Sequence, residues 1–344
     1  MQIYTRVDAF VPAAAKPLVL GLGNFDGLHL GHQAILKRAV EKAKQSGGVP
    51  AVFTFYDHPQ GILHPEGRPK LITSVEQKLV RLEALGIGVC FLIPFTKEFS
   101  QLKARRFVEL VLVRQLRVAG VLLGHDARFG NGREGDPALM RQLASEFGFS
   151  FEMAEPVTSA GETVSSSRIR KLIASGLLEE AQACLGRPFS IMGKIVAGSG
   201  RGKSLGFPTA NLAVSGCLMP PEAVYPVRVR TLELDPGCTA AEPPRGFPGP
   251  VLRQAGPWKD AVMNFGKRPT FEDARHALPV AEIFVFDSSE DYRDRTLEIL
   301  IYPKIRDERC FSSGEALKSQ IRADVEEAKV RLHSQPAPEG PFEK

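Results

Sequence analysis

The sequence has few cysteines and no cysteine pair. Its five cysteines are odd in number, lie far apart and form no CxxC motif: Cys90, Cys184, Cys217, Cys238 and Cys310. A disulfide framework needs paired cysteines, and a structural zinc site needs closely spaced ligands. We therefore expect neither kind of cross-link, and the chain must fold around hydrophobic cores.

Long apolar segments and blocks of like charge are also missing. The densest apolar stretch, residues 86–95, is too short to cross a bilayer, and the first ten residues do not resemble a secretory leader. The 44 basic and 39 acidic residues are interspersed and give a formal net charge of +5. We therefore expect a cytoplasmic protein with no membrane partner and no nucleic-acid tail. The charge balance suits anionic small ligands better.

The composition is that of globular domains. Hydrophobic residues make up 43% and charged residues 24% of the 344 residues, which is not typical of disorder. At roughly 150 residues per domain, this length favours two domains. The pattern of segments changes near residues 185–188, where short segments rich in Val, Ile and Phe begin. We therefore predict one domain over 1–186, a second over 187–333 and a flexible tail over 334–344.

The first half alternates short apolar runs with segments of helical period. Apolar runs at 18–23, 51–55, 89–94 and 118–124 predict strands, and the segments 32–45, 74–85, 104–116 and 136–148 predict helices. Strands that alternate with helices are typical of a parallel sheet covered by helices. We predict an α/β domain of this kind.

The second half has shorter segments rich in Val, Ile and Phe. Strands are predicted at 224–232, 260–264, 280–286 and 297–302, which favours a small antiparallel β-barrel. The Pro- and Gly-rich stretch 235–257 is predicted to be an irregular surface insertion and not a strand. One face of a terminal amphipathic helix is formed by Leu317, Ile321, Val325, Ala328 and Leu332.

A glycine-rich motif, GNFDGLHLGH at 23–32, directly follows the first of these predicted strands. Glycines allow close backbone approach, and the helix that follows presents unpaired amide N–H groups, which favours a phosphate site. His29 and His32 are three residues apart, so both imidazoles are expected on one side of the helix start. The alternative is that the two histidines only cap the helix and pack.

A second motif, VSSSRIR at 164–170, combines hydroxyl groups with an arginine. Ser166 and Ser167 offer hydroxyls, and Arg170 is one helical turn beyond Ser167, where it is able to bind phosphate oxygens. A serine-rich N-cap before a basic helix is the alternative reading of the same string.

A third motif, GKIVAGSGRGKSLGFPTANL at 193–212, contains a glycine loop that fits neither the P-loop nor the dinucleotide-binding spacing. Thr209 and Asn211 lie two apart on an extended segment, which puts both side-chain oxygens on one face. Hard oxygen ligands of this kind suit a phosphate-bound Mg²⁺.

The motifs occur in an order that resembles a known family. GNFDGLHLGH resembles the signature of the HxGH nucleotidylyltransferase superfamily. Nearly the whole chain resembles the prokaryotic bifunctional riboflavin kinase and FMN adenylyltransferase family, or FAD synthetases. The further motifs that carry this resemblance are HP at 58–59, LLGHDARFGNGREGD at 122–136, PTAN at 208–211, VMNFGKRPTF at 262–271, AEIFVFD at 281–287 and IRDERCF at 305–311.

The resemblance implies a fold and two reactions. It implies a Rossmann-like HxGH nucleotidylyltransferase domain followed by a β-barrel of the riboflavin kinase type with a terminal helix. The barrel would phosphorylate riboflavin with ATP, and the first domain would adenylylate FMN with ATP to give FAD and pyrophosphate. The implied partners are therefore riboflavin, FMN, FAD and ATP, with Mg²⁺ as cofactor.

The resemblance also implies roles for individual residues. The catalytic group would comprise Glu282 as the general base of the kinase, together with His29, His32, Ser167 and Arg170. Phosphates of ATP would be bound by Gly23, Asn24, Phe25, Asp26, Gly31, Ser166, Gly198, Gly200, Arg201 and Gly202. Flavin contacts would come from His58, Asp126, Phe129 and Arg306, and the metal ligands would be Thr209 and Asn211.

The chain departs from the family pattern at some positions. Ala223 replaces a usual glycine and Phe284 a common histidine, so one alternative is a monofunctional adenylyltransferase with a degenerate kinase domain. A second alternative, from another class, is a flavin-binding regulatory protein that acts on nucleic acid, given the pI near 8.9. A retained general base is not needed by a pure binding protein, which favours the bifunctional enzyme.

Overall fold

The computed structural model describes residues 1–12, 16–63, 65–67, 69–196, 206–213, 217–234, 252–254, 256–267 and 279–335. These residues form two compact units. The first consists of Met1–Leu71 and Val75–Ser166, and the second of Ile72–Ser74, Ser167–Leu234 and the described residues from Leu252 onward. None of the described helices is both long and apolar enough to cross a membrane.

The first unit is built on a six-stranded parallel sheet with strand order β1-β4-β3-β2-β5-β6. β2 and β4 are buried along their whole length, as expected for strands covered by helices on both faces. The predicted Rossmann-like α/β fold is confirmed. The strands are β1 (Gln2–Tyr4), β2 (Leu18–Leu22), β3 (Val49–Phe55), β4 (Val89–Ile93), β5 (Val118–Gly124) and β6 (Ser150–Ala154), and a separate hairpin joins β7 (Thr158–Ser159) to β8 (Glu162–Thr163).

The predicted helical segments of the first unit are found close to their predicted limits, with one exception in the type of helix, whereas the short helices Pro59–Leu63 and Lys97–Ser100 were not predicted. The exception is the segment predicted as an α-helix over 104–116, of which the larger part is a π-helix. Its buried residues recur at spacings of one, three and four, which suit either kind of helix, so the pattern did not distinguish them. The helices are α1 (Leu30–Gln45), α2 (Pro59–Leu63), α3 (Val75–Ala84), α4 (Lys97–Ser100), α5 (Ala104–Arg106), the π-helix (Phe107–Gln115) and α6 (Pro137–Phe147), with 3-10 turns at Pro65–Gly67 and Asn131–Arg133.

The ends of α6 illustrate how the sequence sets helix limits. The carboxylate of Asp136 accepts a hydrogen bond from the amide of Leu139 at 2.9 Å, and Pro137 occupies the first turn. Gly148 ends the helix with a φ of 77°, a conformation that glycine adopts without a steric penalty. These limits agree with the predicted segment, 136–148.

The second unit is a six-stranded antiparallel barrel preceded by two helices and followed by one. β11 pairs with β13 on one side and with β15 on the other, which closes the path β11-β13-β14-β10-β9-β15. The predicted barrel and terminal helix are confirmed. The elements are α7 (Ser166–Ala174), α8 (Leu178–Leu185), β9 (Phe189–Val196), β10 (Ala210–Leu212), β11 (Ala223–Leu234), β12 (Leu252–Gln254), β13 (Lys259–Lys267), β14 (Pro279–Val285), β15 (Thr296–Ile301), β16 (Arg306–Asp307) and α9 (Gly314–His333).

The two faces of the barrel strands have different neighbours. One face carries buried residues such as Tyr225, Met263 and Ile283. The opposite face is covered in part by α9, whose Val325, Ala328 and Leu332 pack in one cluster with Val224, Val262, Phe286, Leu300 and Tyr302. Helix α9 therefore covers the outer face of the barrel.

The prediction that 235–257 contains no strand was wrong at its end. β12 pairs antiparallel with the end of β11, with Leu232 opposite Gln254. This pairing depends on hydrogen bonds to a strand distant in sequence, which local composition does not reveal. Residues 235–251 lie outside the described residues.

Candidate active sites

The first candidate site is the loop between β2 and α1. Open α/β sheets bind ligands at the carboxyl ends of their strands, where the strand order reverses. Here β2 lies between β3 and β5, and the chain leaves β4 on one side of β2 to begin β5 on the other. The loop that follows β2 therefore lies at the switch point of the sheet.

The backbone of this loop is strained at residues with side chains. Phe25 and Leu28 have φ of 52° and 43°, and Gly27 has φ of 85°. Residues other than glycine rarely adopt positive φ, so burial has to offset the strain. The side chains of Phe25 and Leu28 are 1% and 0% exposed, which anchors the loop in the core.

His29 and His32 lie together at the start of α1, as predicted. The two rings stack with centroids 3.6 Å apart and an interplanar angle of 18°, and Phe25 contacts the His32 ring edge-on at 5.2 Å. His29 is the N-cap of α1, and its Nδ1 accepts a hydrogen bond from the amide of His32 at 3.3 Å. Because Nδ1 is the acceptor, neutral His29 carries its proton on Nε2. The histidines therefore cap the helix and also form a stacked pair.

The surroundings of His32 disfavour its protonated form. Its pKa lies well below the ordinary value for histidine, first because burial disfavours the charged ring and then because electrostatic interactions with His29 and Lys78 disfavour a positive charge there. Its buried Nδ1 has no hydrogen-bond partner among the described residues. An anionic group bound beside the ring would raise this pKa and supply the missing partner.

Gly31 is required by the ring of His29. A Cβ at position 31 would lie 3.2 Å from Cε1 and 3.3 Å from Nδ1 of His29. These distances are shorter than ordinary contacts, so any side chain at this position displaces the imidazole. The glycine of the HxGH motif thus allows the first histidine to lie over the helix start.

Of the other residues predicted to bind phosphate or to assist catalysis, only some lie close to the histidine pair. The hydroxyl of Ser166, which belongs to the first compact unit, donates to the carbonyl of Asp26 in the loop at 2.9 Å. Ser167 and Arg170 lie on α7 beyond Ser166 and group with the second compact unit. Gly198, Gly200, Arg201 and Gly202 lie outside the described residues.

Three of the residues predicted to bind flavin follow strands that flank β2. His58 follows β3, and its Nδ1 accepts from the amide of Gln60 at 3.3 Å. Asp126 is exposed after β5, whereas Phe129 bonds through its backbone to Gly135 and packs its ring 6.2 Å from that of Phe107. All three are at the same edge of the sheet as the histidine pair.

Lys78 is a residue that the sequence analysis missed. It is 3% exposed, and its ammonium donates to the carbonyls of Asn24 at 3.0 Å and Phe55 at 3.2 Å. A signal was present, because Lys78 occupies the apolar stripe that Val75, Leu82 and Leu85 define at helical spacing. A lysine in such a stripe must find partners in the interior.

The second candidate site is a row of polar residues across three barrel strands. Asn211 on β10 lies opposite Glu282 on β14, and Glu282 lies opposite Asn264 on β13. Residues directly opposite each other on adjacent strands project to the same face. This face is the outer one, because Val262 and Phe284, two residues from Asn264 and Glu282, pack in the α9 cluster.

The row is continued by one other predicted residue and by one that the sequence analysis missed. Thr209 is two residues before Asn211, immediately before β10. The amide of Asn264 donates to the carboxylate of Glu308 at 2.9 Å, and a Cβ on Gly266 would lie 2.1 Å from that carboxylate. A side chain at residue 266 would therefore have to displace the carboxylate of Glu308 from its place against β13. The available signal for Glu308 was that it is an acidic residue within the segment IRDERCF at 305–311.

Arg306 already has a partner in this fold. Its guanidinium binds both carboxylate oxygens of Asp324 on α9, at 2.8 and 2.6 Å, and Asp324 is buried. This bidentate pair fixes β16 to α9. Its role in flavin binding stays a prediction.

Comparison with known proteins gives the same two halves. Residues 11–168 match the family model described as FAD synthetase, and residues 185–332 match the model described as riboflavin kinase. The chain is 32% identical over 324 residues to the bifunctional riboflavin kinase/FMN adenylyltransferase of Escherichia coli K12, covering 94% of this chain and 96% of that protein. The protein of the same name from Bacillus subtilis is 32% identical over 313 residues, covering 90% and 91%.

A solved structure shares the fold of nearly the whole chain. It is described as a macrolide-efflux protein from Streptococcus pneumoniae, and it is 25% identical with a TM-score of 0.77, covering 95% of this chain and 98% of that one. The identity and coverage of the curated relatives, with both halves matched by family models, decide the assignment. The chain belongs to the bifunctional riboflavin kinase/FMN adenylyltransferase family.

Proposed function

We propose that the chain catalyses two successive reactions at separate sites. The barrel transfers the γ-phosphoryl group of ATP to riboflavin, and the parallel-sheet unit transfers AMP from a second ATP to the resulting FMN, releasing pyrophosphate. The observation that carries this proposal is that each half matches its own family and keeps its reactive side chains side by side. The domains of the enzyme are 1–186 and 187–333 in this proposal.

Adenylyl transfer needs positioning and charge stabilisation. An oxygen of the FMN phosphate attacks the α-phosphorus of ATP while the bond to the β-phosphate oxygen breaks, so no covalent enzyme intermediate is required. Nε2–H of His29 and the amides at the start of α1 donate to the phosphate oxygens. Bound phosphate raises the pKa of His32, which then adds a second donor to the charge that develops.

Phosphorylation of riboflavin needs a base close to the 5′-hydroxyl. Glu282 accepts the hydroxyl proton as the γ-phosphoryl group is transferred. Thr209 and Asn211 would hold Mg²⁺ through hard oxygen ligands, which would supply neutralisation of charge on the phosphate oxygens. Both reactions use ATP, so we place the enzyme in the cytoplasm as part of this proposal.

The substitutions that favoured a monofunctional enzyme lie outside the polar row. Ala223 is fully buried opposite Phe265, and Phe284 packs its ring against Phe207 at 5.3 Å. Ala223 lies inside the barrel, whereas Phe284 packs on the outer face, two residues from Glu282. Neither substitution replaces Asn211 or Glu282, so both of these side chains are retained.

The test uses two mixtures of the purified protein with ATP and Mg²⁺, one containing riboflavin and the other containing FMN. Chromatography of the flavins should show FAD from both. FAD from FMN alone would mean that the kinase half is inactive, and no new flavin in either mixture would overturn the proposal.

A further inference from the structure

Lys78 is buried at a point where two strands end. Its ammonium donates to the carbonyl of Asn24, two residues after β2, and to the carbonyl of Phe55, the last residue of β3. β2 and β3 are adjacent parallel strands. One side chain from α3 therefore joins the two strand ends at the carboxyl edge of the sheet.

The carbonyl of Asn24 is held from two sides. The hydroxyl of Thr54, which is fully buried, donates to it at 2.9 Å in addition to Lys78. Asn24 immediately precedes Phe25, the first of the residues with positive φ. The two hydrogen bonds therefore fix the entry to the strained loop that ends at His29.

Burial of this lysine is costly. The pKa of Lys78 lies below the ordinary value for lysine, chiefly because burial disfavours the charged ammonium. Electrostatic interactions with Asp26, and to a smaller extent with Cys90 and Asp57, act in the opposite direction and raise this pKa. A methionine or leucine would cover the sheet without this cost. A charged side chain at position 78 is therefore best explained by the polar groups next to it, which are the carbonyls of Asn24 and Phe55 and the carboxylate of Asp26.

The groups around Lys78 belong to the candidate adenylyl-transfer site. Asp26 is 1% exposed and lies within the loop, and the positive charge of Lys78 also acts on His32. His29 stacks on His32. The ammonium is thus one of the charges that set the field in which phosphate groups would bind.

We propose that Lys78 is a positioning residue for adenylyl transfer, which holds the loop 24–29 in its phosphate-binding shape by joining the ends of β2 and β3. This inference rests on the proposed adenylyltransferase function of the first unit. Lys78 acts through the backbone of Asn24 and through its charge, and no contact with substrate is required.

The test compares three variants in the full-length enzyme. Lys78→Met removes the charge and both hydrogen bonds, Lys78→Gln keeps a donor without the charge, and Lys37→Met removes an exposed lysine from α1 as the matched control. We expect kcat/KM for FAD formation from FMN to fall about 10²-fold in Lys78→Met, because small misplacements in a site have effects of this size. Lys78→Gln should lose less, and Lys37→Met should match the wild type.

The kinase reaction and a pH profile separate this role from a general effect on folding. FMN formation by the same variants should stay at the wild-type level. Loss of the positive charge raises the pKa of His32, so the limb of the FAD-formation profile that His32 governs should move to higher pH in Lys78→Met and Lys78→Gln. Thr54→Val, which removes the other donor to Asn24 without a change of charge, should lower the rate without moving this limb.

Four results bear against the proposal or against its basis. Wild-type FAD formation in folded Lys78→Met, or equal losses of FAD and FMN formation, would overturn it. A pH limb that does not move in either Lys78 variant would also overturn it. Failure of the wild-type enzyme to adenylylate FMN would refute the proposed function itself, which is a different outcome.

Discussion

The two candidate sites are assembled in opposite ways. In the parallel-sheet unit, the site from Gly23 to His32 is a continuous stretch of sequence, and a single turn of helix brings its histidines into contact. In the barrel, Asn211, Asn264 and Glu282 come from three strands and meet only through strand register. A local site is predictable from spacing, whereas a register-built site requires the whole fold to be known.

The sharpest way to break this comparison is to inactivate each site separately. Glu282→Gln removes the base but keeps the shape of the side chain, so FMN formation should fall about 10³-fold. FAD formation from FMN should be unchanged, and chromatography of both reactions measures this directly. Unchanged FMN production would show that another base, or none, is used.

The reciprocal change is His29→Ala. It removes the N-cap of α1 and the stacked donor, so FAD formation should fall about 10³-fold while FMN formation continues. His333→Ala, an exposed histidine in the last turn of α9, is the matched control. If the His29 variant still makes FAD at the normal rate, the role given to this imidazole is incorrect.

A smaller effect is expected from Gly31→Ala. The added methyl group would approach Cε1 of His29 to 3.2 Å, so the ring must shift by a few tenths of an ångström. We expect a loss of about tenfold to 10²-fold in FAD formation with little change in melting temperature. The same substitution at Gly132, where an added Cβ meets nothing within 4 Å, provides a comparison for steric effects, although its φ of 61° also strains alanine.

The smallest effect concerns stability and pH. The folded-state pKa of His32 is depressed, so below the ordinary value near 6.5 the unfolded chain binds a proton that the folded chain excludes. Stability is therefore lost as pH falls from about 6.5 toward the folded pKa, by at most about 1.4 kcal/mol per pH unit. Denaturant titrations of the wild type and His32→Gln should differ in this slope, and parallel slopes would contradict the assignment.

The sequence predicted the central strands of the parallel sheet but not its two edge strands. β2 to β5 have continuous apolar runs and were predicted within two residues at each end, whereas β1 and β6 were missed. β1 has only three residues, and β6 reads SFEMA with an exposed first residue, so neither produces a buried run. These two strands are specified by pairing with β4 and β5.

In the candidate sites too, contacts between residues close in sequence were predicted, whereas contacts between distant residues were not. The placement of His29 and His32 on one side of the helix start followed from their spacing, since residues three apart share a helix face. The bonds of Lys78 to Asn24 and Phe55, and of Asn264 to Glu308, join residues 23 to 54 positions apart and did not follow from any local pattern. Glu282 was identified by resemblance alone.

The alternation along β13 and β14 has a consequence for how this protein tolerates change. Asn264 and Glu282 project outward, while their immediate neighbours Met263 and Ile283 are fully buried. Substitutions one position apart therefore fall into separate classes, one that alters turnover and one that alters melting temperature. A mutational scan of these strands should show the two phenotypes alternating with a period of two residues.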